Sequence, residues 1–445
     1  MIKLFPCSAI FAIFLSPVLS QGDDWPQWLG PERDGIWRED GIVETFSENG
    51  PEVLWRVPVS HGYSSPTVSG GKVYLSDYLV EEGEIFNNPG ARAPLEGKER
   101  IRCFDAGTGE EIWSYAYDQP YNLSYPGGPR STPTVADGKV YALGAEGNFV
   151  CLDANSGELV WTLNWKEKFS IESPMWGFTS HPLVDGDTLY CIVGGEGSVA
   201  VAFDKNTGGI KWQSLSASEP GYSPPTMIEH AGAKQLLIWH TESINSLNPE
   251  DGSLYWSLPL KPGFGMSIMA PQKSGNLLFT SGHGRVGAVM KLDDEKPGAE
   301  MLWKAKPKQG VFAANVTPLI IDGVIYGSDI DTSAFIAASL ETGERFWQTT
   351  VPTLGEENPE RGGRHGTAFV TLHEESGRLY LLSETGHLII AEVSSEAYTE
   401  ISRAKVIEPT NEAFGRKVVW AAPAFAMKSA FVRNDKELIR VDLAK

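Results

Sequence analysis

Along most of the chain apolar residues alternate with polar ones at period two, and Gly or Asp-Gly interrupts the alternation every few positions. That rhythm predicts short β-strands joined by tight turns, because a helix would need apolar positions three and four apart. One phrase recurs. CLDANSGELVW at 151–161 is echoed by CFDAGTGEEIW at 103–113, AFDKNTGGIKW at 202–212 and SLNPEDGSLYW at 246–256. It returns one residue shorter as ASLETGERFW at 338–347, and loosely as KLDDEKPGAEMLW at 291–303. With one earlier match, the closing Trp residues fall at 55, 113, 161, 212, 256, 303 and 347, separations of about one four-stranded propeller blade.

Residues 131–163 serve as the type blade. Strand A runs over about 132–136, Asp137-Gly138 turns it into strand B over 139–143, strand C covers 149–153, and Asn155 to Gly157 lead to strand D. Seven strand A starts are legible, at Ser65, Thr132, His181, Pro224, Ala270, Thr317 and Gly366. The seventh blade is the weakest copy, since 391–406 lacks both the Gly turn and the Trp. VLWRVPV at 53–59 matches only a strand D, and 422–443 supplies three strands without a fourth. The expected fold is therefore all-β, an eight-bladed β-propeller with four antiparallel strands per blade. Its ring is closed by the N-terminal strand pairing into the C-terminal blade, which removes the free edge.

The repeated residues have architectural explanations. Asp105, Asp153 and Asp204 accept N–H bonds in the following turn, the turn Gly supplies positive φ, and Trp offers a broad apolar face to the next blade. Function is sought where the copies differ, in the connections from each strand D to the next strand A, which gather around one mouth of the channel. The ligand-binding candidates there are Tyr63, Arg130, Trp176, His181, Tyr222, Asn315, Arg364, His365 and Trp420, accompanied by Ser64, Ser131, Phe178, Met266 and Met269. This mixture of cations, imidazoles and aromatic rings suits a planar anion or a peptide segment, and equally suits side chains that close the channel on one another. The polar stretch 78–99, an insertion in the first blade, reads as a loop, either a lid or partner-binding element or plain disorder. Ser328 to Asp331 reads as an exposed acidic turn rather than a Ca²⁺ site.

Charge and leader narrow the classes. Residues 1–20 (MIKLFPCSAIFAIFLSPVLS) have the Lys, apolar run and small residues of a secretory signal, too short and Pro-broken for a spanning helix. Residues 21–50, with Trp25, Trp28 and Trp37, read as an extended arm packed on the ring, and 51–445 as the propeller, taken as a monomer. The expected location is periplasmic or extracellular. A formal net charge of −20 opposes nucleic acid and anionic lipid, whose phosphates need clustered Lys and Arg. Cys103, Cys151 and Cys191 read as buried apolar residues, with a disulfide left open, and no Cys-x-x-Cys, His-Glu-x-x-His, phosphate loop or Gly-x-Ser-x-Gly occurs.

The phrase hydrophobic-x-D-x-x-T/S-G-x-x-x-W, together with DWPQWLGPERDGIW at the start and WGFTSHPLVDGDTLYCIVGG at 176–195, resembles the repeat of pyrroloquinoline-quinone (PQQ) propellers over about 25–443. That superfamily includes quinoprotein alcohol dehydrogenases and an outer-membrane assembly lipoprotein. The dehydrogenase branch implies two adjacent Cys over the cofactor, Ca²⁺ on carboxylate and amide oxygens, and an Asp base. Here no two Cys are adjacent and no funnel Asp is evident. Asn315 would be the amide ligand, Arg130 or Arg364 the partner of the quinone carboxylates, and Trp176 or Trp420 the stacking floor. The assembly branch implies a lipid-bearing Cys, whereas Cys7 precedes the apolar run. The resulting expectation is an exported, non-catalytic binding or scaffold propeller with a protein partner at the channel-mouth loops, no catalytic or metal-binding residues, and no cofactor. The alternative is a PQQ- and Ca-dependent alcohol or polyol dehydrogenase.

Overall fold

The computed structural model describes residues 24–313, 315–357 and 364–445, so the segment read as a leader, 1–20, lies outside the described residues. In blades 1 to 3 the Asp and Gly of the repeated phrase build the same turn. The Asp105 carboxylate accepts the Gly107 and Thr108 N–H groups at 2.9 and 2.8 Å, and Asp153 and Asp204 do the same in their own turns. Strands C and D leave this turn as an antiparallel pair, and strands A and B complete each sheet.

Eight such sheets form the propeller. Blade 1 comprises Thr67–Ser69, Lys72–Glu82, Ala93–Asp105 and Glu111–Asp118, and blade 2 comprises Thr134–Ala136, Lys139–Leu143, Asn148–Asp153 and Leu159–Asn164. Blades 3 to 6 occupy 183–214, 226–259, 272–304 and 319–349. Blade 7, despite its eroded phrase, has a full set in Ala368–His373, Arg378–Ser383, His387–Val393 and Tyr398–Lys405. Blade 8 takes Ala424–Ala426, Ser429–Arg433 and Glu437–Asp442 from the C-terminus and Val53–Pro58 from the N-terminus, paired antiparallel from Val53↔Val441 to Pro58↔Glu437. Arg433, fully buried, locks this blade to blade 1 by donating to the carbonyls of Ser76 (3.0 Å) and Ser60.

The apolar core lies between blades. Residues of blades 1 and 2 share one cluster, those of blades 2 and 3 another, and so on around the ring. At six of the eight interfaces a strand D Trp crosses the gap. Its indole N–H donates to a carbonyl of the next blade's C–D region: Trp55 to Ala106 (3.0 Å), Trp113 to Ala154 (3.2 Å), Trp161 to Lys205 (3.0 Å), Trp212 to Pro249 (2.9 Å), Trp303 to Leu340 (3.0 Å) and Trp347 to Ser394 (2.8 Å). At five of these six its ring lies on the turn Gly of that blade, where a Cβ on Gly157 would come within 2.6 Å of Trp113; blade 7 offers Trp347 no turn Gly. The turn Gly thus serves twice, for its positive φ and for the missing side chain.

The N-terminal arm lies across the central opening at its A–B end. Trp25 exchanges backbone hydrogen bonds with Val68 of blade 1, and Pro26 O accepts the Val135 N–H of blade 2. Arg33 donates to Pro182 O beside blade 3 (2.9 Å), and Ile36–Trp37 adds a parallel strand to the inner edge of blade 7. Trp37 then packs on Phe425 of blade 8, ring centroids 4.8 Å apart.

The insertion differs from its sequence reading. Strands B and C of blade 1 extend into it and pair from Lys72↔Asp105 out to Glu82↔Glu96, leaving only 83–92 outside strands. Tyr78 is buried, stacked on Tyr121 at 4.0 Å, and the buried Glu99 carboxylate accepts from Tyr117, Tyr121 and the Ala145 N–H. The polar sequence of a hairpin projecting past the blade hides its strands from a period-two reading.

The double role of the turn Gly is testable. Gly138 and Gly157 have nearly equal φ of 72° and 74°, yet a Cβ at Gly138 meets nothing within 4 Å. Gly138→Ala therefore destabilises by about 1 kcal/mol from backbone strain alone, and Gly157→Ala by about 2 to 4 kcal/mol once the overpacked indole is added. Urea midpoints of the two variants check this; equal shifts would show that the indole contact contributes nothing.

Candidate functional site

Strands alternate in direction, so the D–A connections and the B–C turns open on the same face, opposite the arm. A cavity of about 1070 Å³ lies there. Every D–A connection contributes to its wall: Tyr63, Arg130, Trp176 with His181, Tyr222, Met266, Asn315, Arg364 with His365, and Trp420. All nine candidates read from the sequence line this one cavity. Of their companions, Phe178 does not; it is buried against Trp165. Ser64 and Ser131 point into the fold, donating to Ser76 O and Ser180 O. Trp28 of the arm lines the cavity and stacks on His181, centroids 4.5 Å apart, so the cup is floored from below.

Several candidates hold the wall together. Arg130 lies over the Tyr63 ring at 5.2 Å and donates to the carbonyls of Gly128 (2.9 Å), Ser124 (3.0 Å) and Tyr125. His181 Nδ1 accepts the Thr132 N–H at 2.9 Å, and burial followed by the nearby Arg33 charge holds its pKa well below the ordinary value, so it is neutral. The Asn315 amide donates to Thr367 Oγ1 at 3.3 Å. The Trp420 indole N–H points at Glu384, a buried carboxylate that also accepts from Arg416 Nε (2.6 Å) and the Thr367 N–H (3.0 Å). Burial raises the Glu384 pKa even against these bonds. Burial likewise raises the pKa of the Tyr63 and Tyr222 hydroxyls, which stay protonated.

The B–C turns supply residues that sequence reasoning missed: Pro89 and Gly90 of blade 1, Thr241 of blade 4, His283 of blade 5, and Ile330 with Asp331 of blade 6. Strand alternation was the signal, since it sends these turns to the same face. The turn at 328–331 is also corrected. Asp329 is fully buried, paired with Arg345 (2.9 Å) and accepting the Phe312 N–H (2.8 Å), while Asp331 pairs with Arg285 at 2.5 Å. Phe264 and Phe414 at the rim were missed as well.

Among the described residues no group of three or more His, Cys, Asp or Glu is placed to hold a metal. Cys103, Cys151 and Cys191 are buried free thiols and do not line the cup. Burial pushes Cys103 and Cys151 up to about 12 and Cys191 well above its usual value, so none is a thiolate near neutral pH.

Fold and cup define a PQQ-like propeller with a blind, aromatic-walled cavity. Two overlapping stretches, 97–349 and 240–421, match the family model described as outer membrane protein assembly factor BamB, and the chain belongs to that family. BamB of Yersinia pestis is 24% identical over 210 residues, 44% of this chain and 47% of that protein, so the match spans about half the length of this relative. Among solved structures, BamB from Moraxella catarrhalis is similar with a TM-score of 0.57 at 12% identity, covering 88% of this chain and 97% of that one. The quinohemoprotein alcohol dehydrogenase from Comamonas testosteroni gives 0.60 at 13% identity, covering 95% and 81%. At such identities both likenesses concern the fold alone.

His365 provides a pH test of the wall. It lies between Phe414 (4.7 Å) and His283 (6.2 Å), and burial, then His283, Arg416 and Arg364, lower its pKa from 6.5 to about 4. The unfolded chain therefore takes up this proton first, and the contribution to stability, whole above about pH 6.5, declines toward about pH 4. His365→Asn, which tolerates the left-handed φ of 56°, should show a shallower loss of stability than wild type across that window. Parallel curves would remove His365 as a contributor.

Proposed function

We propose that this chain is an exported, non-catalytic binding propeller that holds a protein partner at the mouth of the cup. The observation that carries the reading is a raised wall formed by two elements outside the blade repeat. The 83–92 loop meets the small hairpin Asn411–Ala413 and Arg416–Val418, with Asn87 Nδ2 donating to Asn411 Oδ1 (2.7 Å) and to Glu412 O (2.8 Å). Arg92 fastens the same loop to the carbonyls of Asn122 (2.7 Å) and Ser173 (2.8 Å). An ordered wall beside a blind cavity presents a fixed surface, and a fixed surface binds without the loss of loop entropy.

The family description and the names of the relatives, an outer membrane protein assembly factor, support a protein-handling role. The leader-like residues 1–20 support export to a periplasmic or extracellular space. Among the described residues no helix is long and apolar enough to cross a membrane.

The dehydrogenase alternative requires a hard-cation site and a quinone clamp, and the side chains present do not fit one. The Asn315 amide is bonded to Thr367, the Arg130 guanidinium is turned to three backbone carbonyls, and Asp331 is paired with Arg285. Titration with PQQ and Ca²⁺ should leave Trp fluorescence unchanged at micromolar levels; saturable quenching with dye reduction by an alcohol would overturn the binding reading.

Removing the whole of 78–99 would unfold blade 1, because Tyr78, Leu95 and Glu99 are buried. Replacing residues 84–91 by Gly-Gly keeps those contacts and shortens an exposed loop, so Tm should move by about 3 °C or less. Capture of envelope proteins by the immobilised chain should fall to background; undiminished capture would take the loop out of the partner site.

A further inference from the structure

Four aromatic or imidazole residues adopt positive φ among the described non-glycine residues: Tyr125 (51°), Phe264 (55°), His365 (56°) and Phe414 (51°). All four line the cup. Bulky residues avoid this conformation, and its concentration at one wall points to a role other than packing. With His283 and Trp420 they form a continuous arc of rings. Centroid separations along Phe264, His283, His365, Phe414, Trp420 and Tyr125 are 5.2, 6.2, 4.7, 6.3 and 6.0 Å. Folding leaves part of the arc bare, since Phe264 is 77% exposed and Phe414 38%.

Charge gives the arc a direction. Lys261 and Arg364 line the cup beside Phe264 and His365, and neither forms an ion pair with a described residue. Arg130 in the wall is bonded only to carbonyl oxygens. Lys261 and Arg364 thus place positive charge among the rings, on a lining that also carries the carboxylates of Glu219 and Asp331. Met175, Met266 and Met269 add a soft apolar lining that adapts to varied side chains.

The floor decides the topology of the occupant. Trp28 and the arm close the channel, so no chain can thread it; whatever enters leaves by the same mouth.

We propose that the cup receives the C-terminal end of a polypeptide, its last apolar or aromatic side chains lying on the ring arc and its terminal carboxylate held by Lys261 and Arg364. This deepens the protein-binding reading and rests on it. A chain end delivers one carboxylate into a blind cup together with apolar side chains, whereas a saccharide would leave the methionine lining unmatched.

The test uses random octapeptides made as free acids and, in parallel, as C-terminal amides, equilibrated with the purified full chain. Retained peptides are quantified by mass spectrometry after gel filtration. Free acids should be retained about tenfold over amides, the difference expected of one charge-assisted contact, with apolar and aromatic residues enriched at the last positions. The double variant Lys261→Gln with Arg364→Gln should abolish that preference. Phe264→Ser with Phe414→Ser should reduce retention of both pools; all four sites are exposed, and unchanged far-UV circular dichroism and Tm confirm folding. Equal retention of acids and amides would overturn the chain-end assignment while leaving protein binding in place. Retention of neither pool, with saturable binding of oligogalacturonate instead, would overturn it in favour of an acidic saccharide.

Discussion

The contact on which the ring depends is an indole laid on a glycine across a blade boundary. One strand D Trp offers an apolar face that only a residue without a side chain can accept, and its N–H reaches a carbonyl that the tight turn leaves exposed. Each such hydrogen bond contributes about 1 kcal/mol beyond the burial of the ring. The residue that makes the turn possible also makes the interface possible, so a single local phrase specifies hairpin geometry and blade docking together.

Three of the eight boundaries depart from it: between blades 6 and 7 Trp347 keeps its bond to Ser394 O but meets no turn Gly, and the other two lack the cross-boundary bond as well. Between blades 4 and 5 the Trp256 N–H turns inward to Gln235 of its own sheet (3.0 Å), because the longer turn of blade 5 does not present a glycine to it. Between blades 7 and 8 no Trp exists on strand D, and the arm fills the place. Trp37 packs on Tyr380 and Phe425, its N–H bonded to Glu39, whose carboxylate also accepts the Lys428 N–H. The arm is therefore part of the frame at the boundary where the repeat is weakest, and its path to that boundary is what floors the channel.

This division explains what was legible in the sequence. Blade number, closure by 53–58 and the D–A residues could be read because they follow from a short-range phrase and its departures. The nine candidates converge on one cavity because every D–A connection must reach the same mouth. Residues whose role depends on a crossing chain could not be read that way. Nothing local to Trp28 says that it will stack on His181, about 150 residues away, and nothing in the polar run at 78–99 distinguishes a projecting hairpin from a loop. His283 and Phe264 lie in turns that look like ordinary punctuation until their rings are seen to join an arc.

The rigidity of the frame has a consequence for the rim. Left-handed backbone at Tyr125, Phe264, His365 and Phe414 would relax if the connections carrying them were free to move. The wall is cross-tied by Arg130 to the 124–128 carbonyls and by Arg416, on the hairpin that carries Phe414, to Glu384 and to the Arg364 carbonyl beside His365. Clips between blades thus hold strained rings at the mouth, where Phe264, His365 and Phe414 lie outside the buried core. Recognition chemistry on this fold is set by connections that the repeat does not constrain in sequence but does constrain in space, which is why eight dissimilar segments can present one surface.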